Sequence, residues 1–268
     1  MTVALVTFAA FAYAAAAFLS ARDMEQRGLP HARVLAPNLV GLAAAIAHLV
    51  YHGVITARLG ALDLHFFAAM SLVGALVASG TAVLGLARPL SAVGAVVYPL
   101  ALATLLGKAL SAHPAIVAAD ESWQIQAHAL IALLAYSTLS IAAVVALLLA
   151  LQDMALRRHR VHWLRYFPPL AVIETLLFQL IASGFLLLTL TLLTGVLFIE
   201  DLLAQHLAHK TVFSIASWLV FGALLYGRWR WGWRGQRAAR LTLAGMALLL
   251  LGFLGSKFVL DIVLGRSL

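Results

Sequence analysis

Cysteine is absent from this 268-residue chain. A chain without thiols forms no disulfide, no thiolate metal site and no iron–sulfur cluster, and it lacks the CxxCH motif through which a c-type cytochrome holds its own haem. Metal chemistry would therefore have to use histidine, of which the chain has 10.

Charged residues are also scarce, at 10% of the chain, whereas 64% is hydrophobic and the mean hydropathy is +1.01. Soluble domains carry about 25% charged residues, so this composition predicts a membrane protein. The apolar runs are continuous rather than alternating, which favours helices over a transmembrane barrel. We predict an all-α bundle of about eight transmembrane helices in one membrane domain, 1–268, with spans at 2–21, 35–56, 64–86, 90–107, 125–151, 170–198, 211–227 and 241–262.

The distribution of Lys and Arg predicts the orientation of these spans. One set of loops holds thirteen basic residues, and the opposite set holds four: Arg58, Lys108, Lys210 and Arg266. Because basic loops stay in the cytoplasm, both termini are predicted to lie on the outer side. The net charge of +8 then reflects topology rather than a nucleic-acid surface. The first span has no basic residue before it and no cleavage pattern, so we expect it to be retained.

Seven of the ten histidines fall at or near the predicted outer face: His48, His52, His65, His113, His128, His206 and His209. At 1.5 Å per residue, His48 lies roughly 21 Å along the second span, and His128 roughly 9 Å below the outer surface on the fifth. In a core of about 30 Å these depths nearly coincide. Two imidazoles at one depth would suit a metal or a flat ligand, and the alternative is that each hydrogen-bonds a neighbouring helix or water.

Other polar residues allow structural interpretations. Lys257 and Asp261 lie one helical turn apart, which favours an internal ion pair. Glu174 begins the sixth span, and an anchor to an inner-loop arginine such as Arg165 is favoured over a proton relay. The segment GRWRWGWRGQRAAR (227–240) is typical of an aromatic belt at a membrane interface, with a nucleotide or partner site as the alternative.

Three segments of the C-terminal half carry a recognisable pattern. WQIQAHALIALLAYSTL (123–139) has a W-x4-H…Y arrangement, GFLLLTLTLLTGVLF (184–198) a GF-x-LLT…TG arrangement, and HKTVFSIASWLVFGALLYGR (209–228) a K-x7-W-x9-R spacing. In this order they resemble the CcsA/CcmC family of haem-handling cytochrome c assembly proteins. The resemblance is closest to the smaller eight-helix branch often called YpjD- or HemX-like. It covers the chain from Trp123 onward, whereas the N-terminal half shares only the hydrophobic layout.

The resemblance implies haem as the cofactor. His128 matches the family's outward-facing haem-ligand histidine, and the second-span histidine of the smaller branch corresponds to His48 or, less well, His52. The family's WGxxWxWD loop should precede Lys210, but EDLLAQHLAHK (200–210) stands there, with Gln205, Leu207 and Ala208 at its tryptophan and aspartate positions. His206 and His209 are candidates to substitute for it.

The leading hypothesis is a non-enzymatic haem-handling accessory protein of cytochrome c assembly in the bacterial inner membrane. His128 and His48 would ligate the haem iron, with His52, His209 and His206 as alternatives. Trp123 would stack on the macrocycle, and Arg58, Lys108 or Lys210 would pair with the propionates.

Besides the lipid bilayer, the expected partners are haem and other assembly or membrane proteins, and no nucleic acid. A second hypothesis is a regulatory or scaffolding subunit that has lost haem binding and docks a partner through its Arg/Trp loops. A third, a small-solute or proton-coupled transporter using Glu174, Lys257 and Asp261, ranks lowest because no inverted repeat is visible.

Overall fold

The computed structural model describes residues 1–25, 32–63, 65–111, 123–159, 168–198 and 205–255, with side chains from residue 35 onward in the second helix and from residue 209 onward in the seventh. These ranges hold eight α-helices and no strand: α1 Thr2–Glu25, α2 Ala32–Leu59, α3 Phe66–Ala87, α4 Ser91–Leu110, α5 Trp123–Arg157, α6 Leu170–Phe198, α7 Gln205–Trp231 and α8 Gly235–Leu250. A π-helical turn, Leu251–Gly255, follows α8. The predicted all-α bundle of about eight helices is confirmed.

Seven of these helices, α1 to α7, are long and apolar enough to cross a membrane. The apolar side chains of α1 are sorted by face, because Ala9, Tyr13 and Ala16 are buried whereas Phe11 and Phe18 are exposed. An exposed face of phenylalanines suits lipid rather than water. The protein is therefore a multi-pass membrane protein.

The helix bounds differ from most of the predicted spans, and two of the differences concern predicted site residues. α7 begins at Gln205 instead of residue 211, so part of the predicted outer loop is helical. α8 begins at Gly235 instead of residue 241, and its α-helical part ends at Leu250. Lys257 and Asp261, predicted to pair near the end of this span, lie outside the described residues.

The chain divides into two compact units by its internal contacts. Unit 1 comprises Met1–Asp63, Phe67–Pro114 and Leu151–Ile173, and unit 2 comprises Leu64–Phe66, Ala115–Ala150 and Glu174–Leu268. Unit 1 therefore holds α1, α2 and α4 and nearly all of α3, and unit 2 holds α7, α8 and most of α5 and α6. The prediction of one membrane domain stays a prediction.

Small residues bring the helices of unit 1 together. α1 packs on α2 and on α4, and its buried residues Ala9, Tyr13, Ala16 and Ser20 alternate at spacings of four and three. This spacing keeps one face turned toward a partner helix, and alanine allows close backbone approach. Unit 1 therefore has a core of small side chains into which a few large polar ones are fitted.

The buried apolar side chains of unit 2 are more often leucine than those of unit 1, and several hydrogen bonds join its helices. Tyr136 of α5 donates to the carbonyl of Leu249 on α8 (2.8 Å), and Trp218 of α7 donates to Thr189 Oγ1 on α6 (2.8 Å). A glycine permits the contact between α5 and α6, since a Cβ on Gly184 would lie 2.5 Å from Leu139 Cδ2. These contacts tie α5 to α6 and to α8, and α6 to α7.

Candidate functional site

Two histidines of α2 meet one serine of α3 in the interior of unit 1. His48 Nε2 lies 2.7 Å from Ser71 Oγ, and His52 Nε2 lies 3.0 Å from the same oxygen. The other nitrogen of His48, Nδ1, lies 3.2 Å from the hydroxyl of Tyr13 on α1. The two imidazole rings stack at a centroid distance of 5.4 Å because their residues are one helical turn apart.

The protons of this cluster are constrained by the single hydrogen of Ser71. A hydroxyl donates one hydrogen bond, so Ser71 donates to one imidazole and accepts from the other. His48 is 0% exposed and has both ring nitrogens engaged, whereas His52 is 7% exposed. To ligate iron, His48 would first have to give up a hydrogen bond in a fully buried site, and such a loss is costly.

A buried ion pair lies near the same cluster. Lys108 Nζ is 2.6 Å from Asp63 Oδ2, with the two side chains 10% and 2% exposed. Both charges act electrostatically on His52. Of the residues predicted to meet haem propionates, Lys108 is therefore already paired, whereas Arg58, in the last turn of α2, is exposed.

His128 of α5 is held differently, in unit 2. Its Nδ1 lies 2.9 Å from Thr194 Oγ1 on α6, and Thr194 Oγ1 also lies 2.8 Å from the carbonyl of Leu190 in its own helix. If the hydroxyl proton points to that carbonyl, the oxygen accepts from Nδ1–H. The lone pair of His128 then resides on Nε2, to which no hydrogen bond is found within the described part of the chain. The imidazole is partly buried and positioned by its second nitrogen, as metal-binding histidines are.

Trp123 lies at the same end of α5 as His128. It is the first residue of the helix, is 71% exposed, and its ring centroid is 6.5 Å from that of Phe198 at the end of α6. His128 and Thr194 lie slightly more than one turn further into these two helices. An exposed indole thus borders the surface of unit 2 that the histidine belongs to.

The remaining candidates are placed in part. His209 is in the second turn of α7 and is partly exposed. The prediction that it lies in an outer loop is therefore wrong. His206 belongs to the first turn of α7, and its side chain lies outside the described residues. Whether His128 meets His48 or His52 stays a prediction, because His128 is in unit 2 and the other two are in unit 1. Within the described ranges, no three His, Asp or Glu side chains are grouped as a metal ion would require.

Glu174 anchors a backbone group at the start of α8, whereas Arg165, its predicted partner, lies outside the described residues. Glu174 Oε1 accepts a hydrogen bond from the amide of Gly235, the first residue of α8, at 2.8 Å. Arg234, which precedes the helix, offers no side-chain cap. A carboxylate at a helix N-terminus satisfies an open amide and opposes the helix dipole.

Sequence reasoning missed Tyr13, Ser71 and Thr194, the hydroxyl partners of the three histidines. A periodic pattern was available for two of them. Tyr13 shares a face with the small residues Ala9 and Ala16, and Ser71 is one turn before Ala75 on the buried face of α3. A polar residue on a small-residue face points to a neighbouring helix.

A family model described as "Cytochrome C assembly protein" matches residues 36–264. This match runs from the start of α2 through both histidine sites. The chain belongs to the cytochrome c assembly protein family.

Two named relatives match shorter stretches of the chain. It is 34% identical to the inner membrane protein YpjD of Escherichia coli (strain K12) over 168 residues, which are 63% of this chain and 64% of that protein. It is 27% identical to the cytochrome c biogenesis protein CcsA of Guillardia theta over 192 residues, 62% of this chain and 64% of that protein. The chain thus spans just under two thirds of the length of each relative. No solved structure matches the chain.

Proposed function

We propose that the protein is a haem-handling accessory protein of cytochrome c assembly in the bacterial inner membrane, with His128 as a protein ligand of haem. One observation carries the proposal. The Thr194 hydroxyl occupies Nδ1 of His128 and leaves Nε2 for a metal. Membership of the cytochrome c assembly family supports haem as the molecule that the protein handles. The relative named as an inner membrane protein supports a location in that membrane.

The residues around His128 fit a haem group. Neutral imidazole is a usual axial ligand of haem iron. The exposed indole of Trp123 and the adjacent Phe198 offer aromatic surface for a flat macrocycle at the same ends of α5 and α6. The haem iron would accept the lone pair of His128 Nε2. No catalytic step is required of the protein.

Each residue has a separate part in this proposal. Thr194 fixes the tautomer and the orientation of the His128 ring, which keeps the Nε2 lone pair available. Trp123 and Phe198 cover a face of the macrocycle and keep water from it. His209 and His206, which belong to unit 2 like His128, would be the candidates for a second protein ligand of the iron, and Lys210 of the same unit for a propionate.

Haem titration of the purified protein tests the proposal. In detergent, we expect the wild type to give a Soret band typical of histidine-ligated haem and His128→Ala to lose or shift it. His159→Asn is the matched control, because His159 is an exposed histidine in a turn with φ of 54°, a conformation that asparagine tolerates. A wild-type spectrum equal to that of free haem, or one unchanged in His128→Ala, contradicts the proposal.

A second function, a regulatory or scaffolding subunit that does not bind haem, is favoured by the unit 1 histidines. Both nitrogens of His48 already have protein partners. Trp229 and Trp231 are exposed beside Arg230 and Arg234, where a partner could dock. A stoichiometric protein partner that co-purifies without pigment would favour this function over the first.

A further inference from the structure

Polar side chains occupy the packing face of each helix in unit 1. On α2 the buried face alternates at spacings of three and four through Asn38, Gly41, Ala45, His48 and His52. On α4 the same spacing gives Ser91, Gly94, Tyr98, Ala101, Leu105 and Lys108. Because this spacing keeps residues on one side of a helix, the polar members lie in the interior of unit 1 at successive depths.

We use the term polar column for ten of these interior and helix-end residues: Asp23, Ser91, Asn38, Tyr98, Tyr13, His48, Ser71, His52, Asp63 and Lys108. At 1.5 Å per residue, the α2 members from Asn38 to His52 span about 21 Å. This distance is about two thirds of a hydrocarbon core of about 30 Å. The polar column therefore extends through most of the depth that a membrane occupies.

Two hydrogen-bonded pairs and one ring contact lie at one end of the column. Ser91 hydrogen-bonds the carboxylate of Asp23. Tyr98 donates to Asn38 Oδ1 at 3.2 Å, and its ring stacks on that of Tyr13 at a centroid distance of 6.4 Å. Tyr13 leads from there to the histidines.

The middle of the column is a continuous hydrogen-bonded chain of Tyr13, His48, Ser71 and His52. Beyond His52, the Asp63–Lys108 ion pair lies at the other end, near the C-terminal ends of α2 and α4. Each member of the middle chain carries either a hydroxyl group, which both donates and accepts hydrogen bonds, or an imidazole, in which one nitrogen donates and the other accepts.

Buried polar groups at membrane depth are costly, and chains of them in membrane proteins often conduct protons. Helix association alone would not require them, because small residues already bring these helices together. A hydroxyl bridging two imidazoles is, in addition, an arrangement through which a proton passes by exchange of hydrogen bonds.

We propose that unit 1 contains a proton path along the polar column, with Ser71 as the link between the two imidazoles. This proposal is independent of haem binding by unit 2. It assigns the α2 histidines to proton transfer, a role separate from iron ligation.

In each transfer, one proton is taken up at Tyr13 and one is released from His52. Tyr13 passes its hydroxyl proton to His48 Nδ1 and takes up another proton on its oxygen, where the hydrogen-bonded chain begins. His48 passes the proton on Nε2 to Ser71 Oγ, and Ser71 passes its own to His52 Nε2. His52 then releases the proton from Nδ1 toward the Asp63–Lys108 end, and the chain is reset when both imidazoles return to their starting tautomers.

Proton flux into vesicles tests the path. The full-length protein is reconstituted without haem into vesicles that contain a pH-sensitive dye, and a potassium gradient with valinomycin drives proton entry. We expect the wild type to acidify the lumen faster than protein-free vesicles do, and Ser71→Ala to reduce the rate to that of protein-free vesicles. The control is Ser79→Ala, because Ser79 on the same helix donates only to the carbonyl of Ala75 in its own helix.

Tyr13→Phe provides a second variant if Ser71→Ala fails to fold, since it removes the hydroxyl but keeps the ring that stacks on Tyr98. Flux lost in both variants while Ser79→Ala keeps it supports the path. Wild-type flux equal to that of protein-free vesicles, or equal flux in wild type and in either folded column variant, overturns it. Haem titration of the same preparations reports on His128 separately, so the two proposals fail independently.

Discussion

Thr194 and Ser71 are both hydroxyl residues beside histidines, but they leave the imidazoles in different states. Thr194 occupies one nitrogen of His128 and has a carbonyl of its own helix to donate to. Ser71 lies between His48 and His52, and Tyr13 occupies the remaining nitrogen of His48. The histidine of unit 2 is therefore prepared for a ligand, whereas His48 is prepared for exchange with its protein neighbours.

Replacing Thr194 tests how His128 is positioned. Thr194→Val keeps the shape of the side chain but removes the acceptor of Nδ1–H, so the ring loses its fixed tautomer. We expect haem affinity to fall about 10-fold or more, as for other partners of metal-binding histidines. Absorbance titration measures this change.

Thr191→Val is the matched control for that experiment. Thr191 is on the same helix, and its hydroxyl donates to the carbonyl of Leu187 within α6. Its loss should leave haem affinity unchanged. Equal affinities of the Thr194→Val and wild-type proteins would show that Thr194 does not position the ligand.

A glycine allows α2 and α4 of unit 1 to pack closely against each other. A Cβ on Gly41 of α2 would lie 2.4 Å from Cζ of Tyr98, a side chain of α4 that is fully buried. Only a residue without a side chain permits this approach, and the approach places Tyr98 where it donates to Asn38. The glycine is thus needed for the polar column as well as for packing.

Gly41→Ala should destabilise the protein by about 1–3 kcal/mol, because the rigid buried ring cannot move without displacing its neighbours. Gly53→Ala on the same helix should be neutral or stabilising by up to about 1 kcal/mol, since a Cβ there meets nothing within 4 Å. Thermal unfolding in detergent compares the two variants. A Gly41→Ala protein as stable as Gly53→Ala would mean that α2 and α4 are not in this close contact.

The arginines predict the orientation of the whole molecule in the membrane. Thirteen basic residues on one set of loops against four on the other predict that the α7–α8 turn faces the cytoplasm and that the α2 C-terminus faces outward. The first orientation puts the exposed Trp229 and Trp231 at the inner interface, and the second puts His48 and His52 toward the outer side.

The absence of cysteine makes this orientation testable by single substitutions. In intact spheroplasts, a membrane-impermeant maleimide should label Arg58→Cys, whereas Arg234→Cys should react only after permeabilisation. Both side chains are exposed, so access to the reagent depends on the side of the membrane. The reverse labelling pattern would show that the topology is the inverse of the predicted one. The proposed haem site would then lie on the opposite face of the membrane.

The sequence by itself determined the fold class, the family and seven candidate membrane spans of the described ranges, because each depends on composition, on the length of apolar runs or on spacing along one segment. It also placed His48, His52 and His128 within helices. For Glu174, charge and depth predicted an anchoring role, but they did not point to the amide of Gly235, which is 61 residues away in the chain.

Only the tertiary structure decided what each histidine contacts. Ser71, Tyr13 and Thr194 reach them from other helices, and hydrogen bonds between helices depend on how the faces are turned rather than on any local pattern. A hydroxyl in an apolar helix usually bonds to its own backbone, as Ser79 does, and the sequence does not distinguish that case from a bridging serine. Packing makes the distinction, because it places a second polar atom within reach and removes water as an alternative partner.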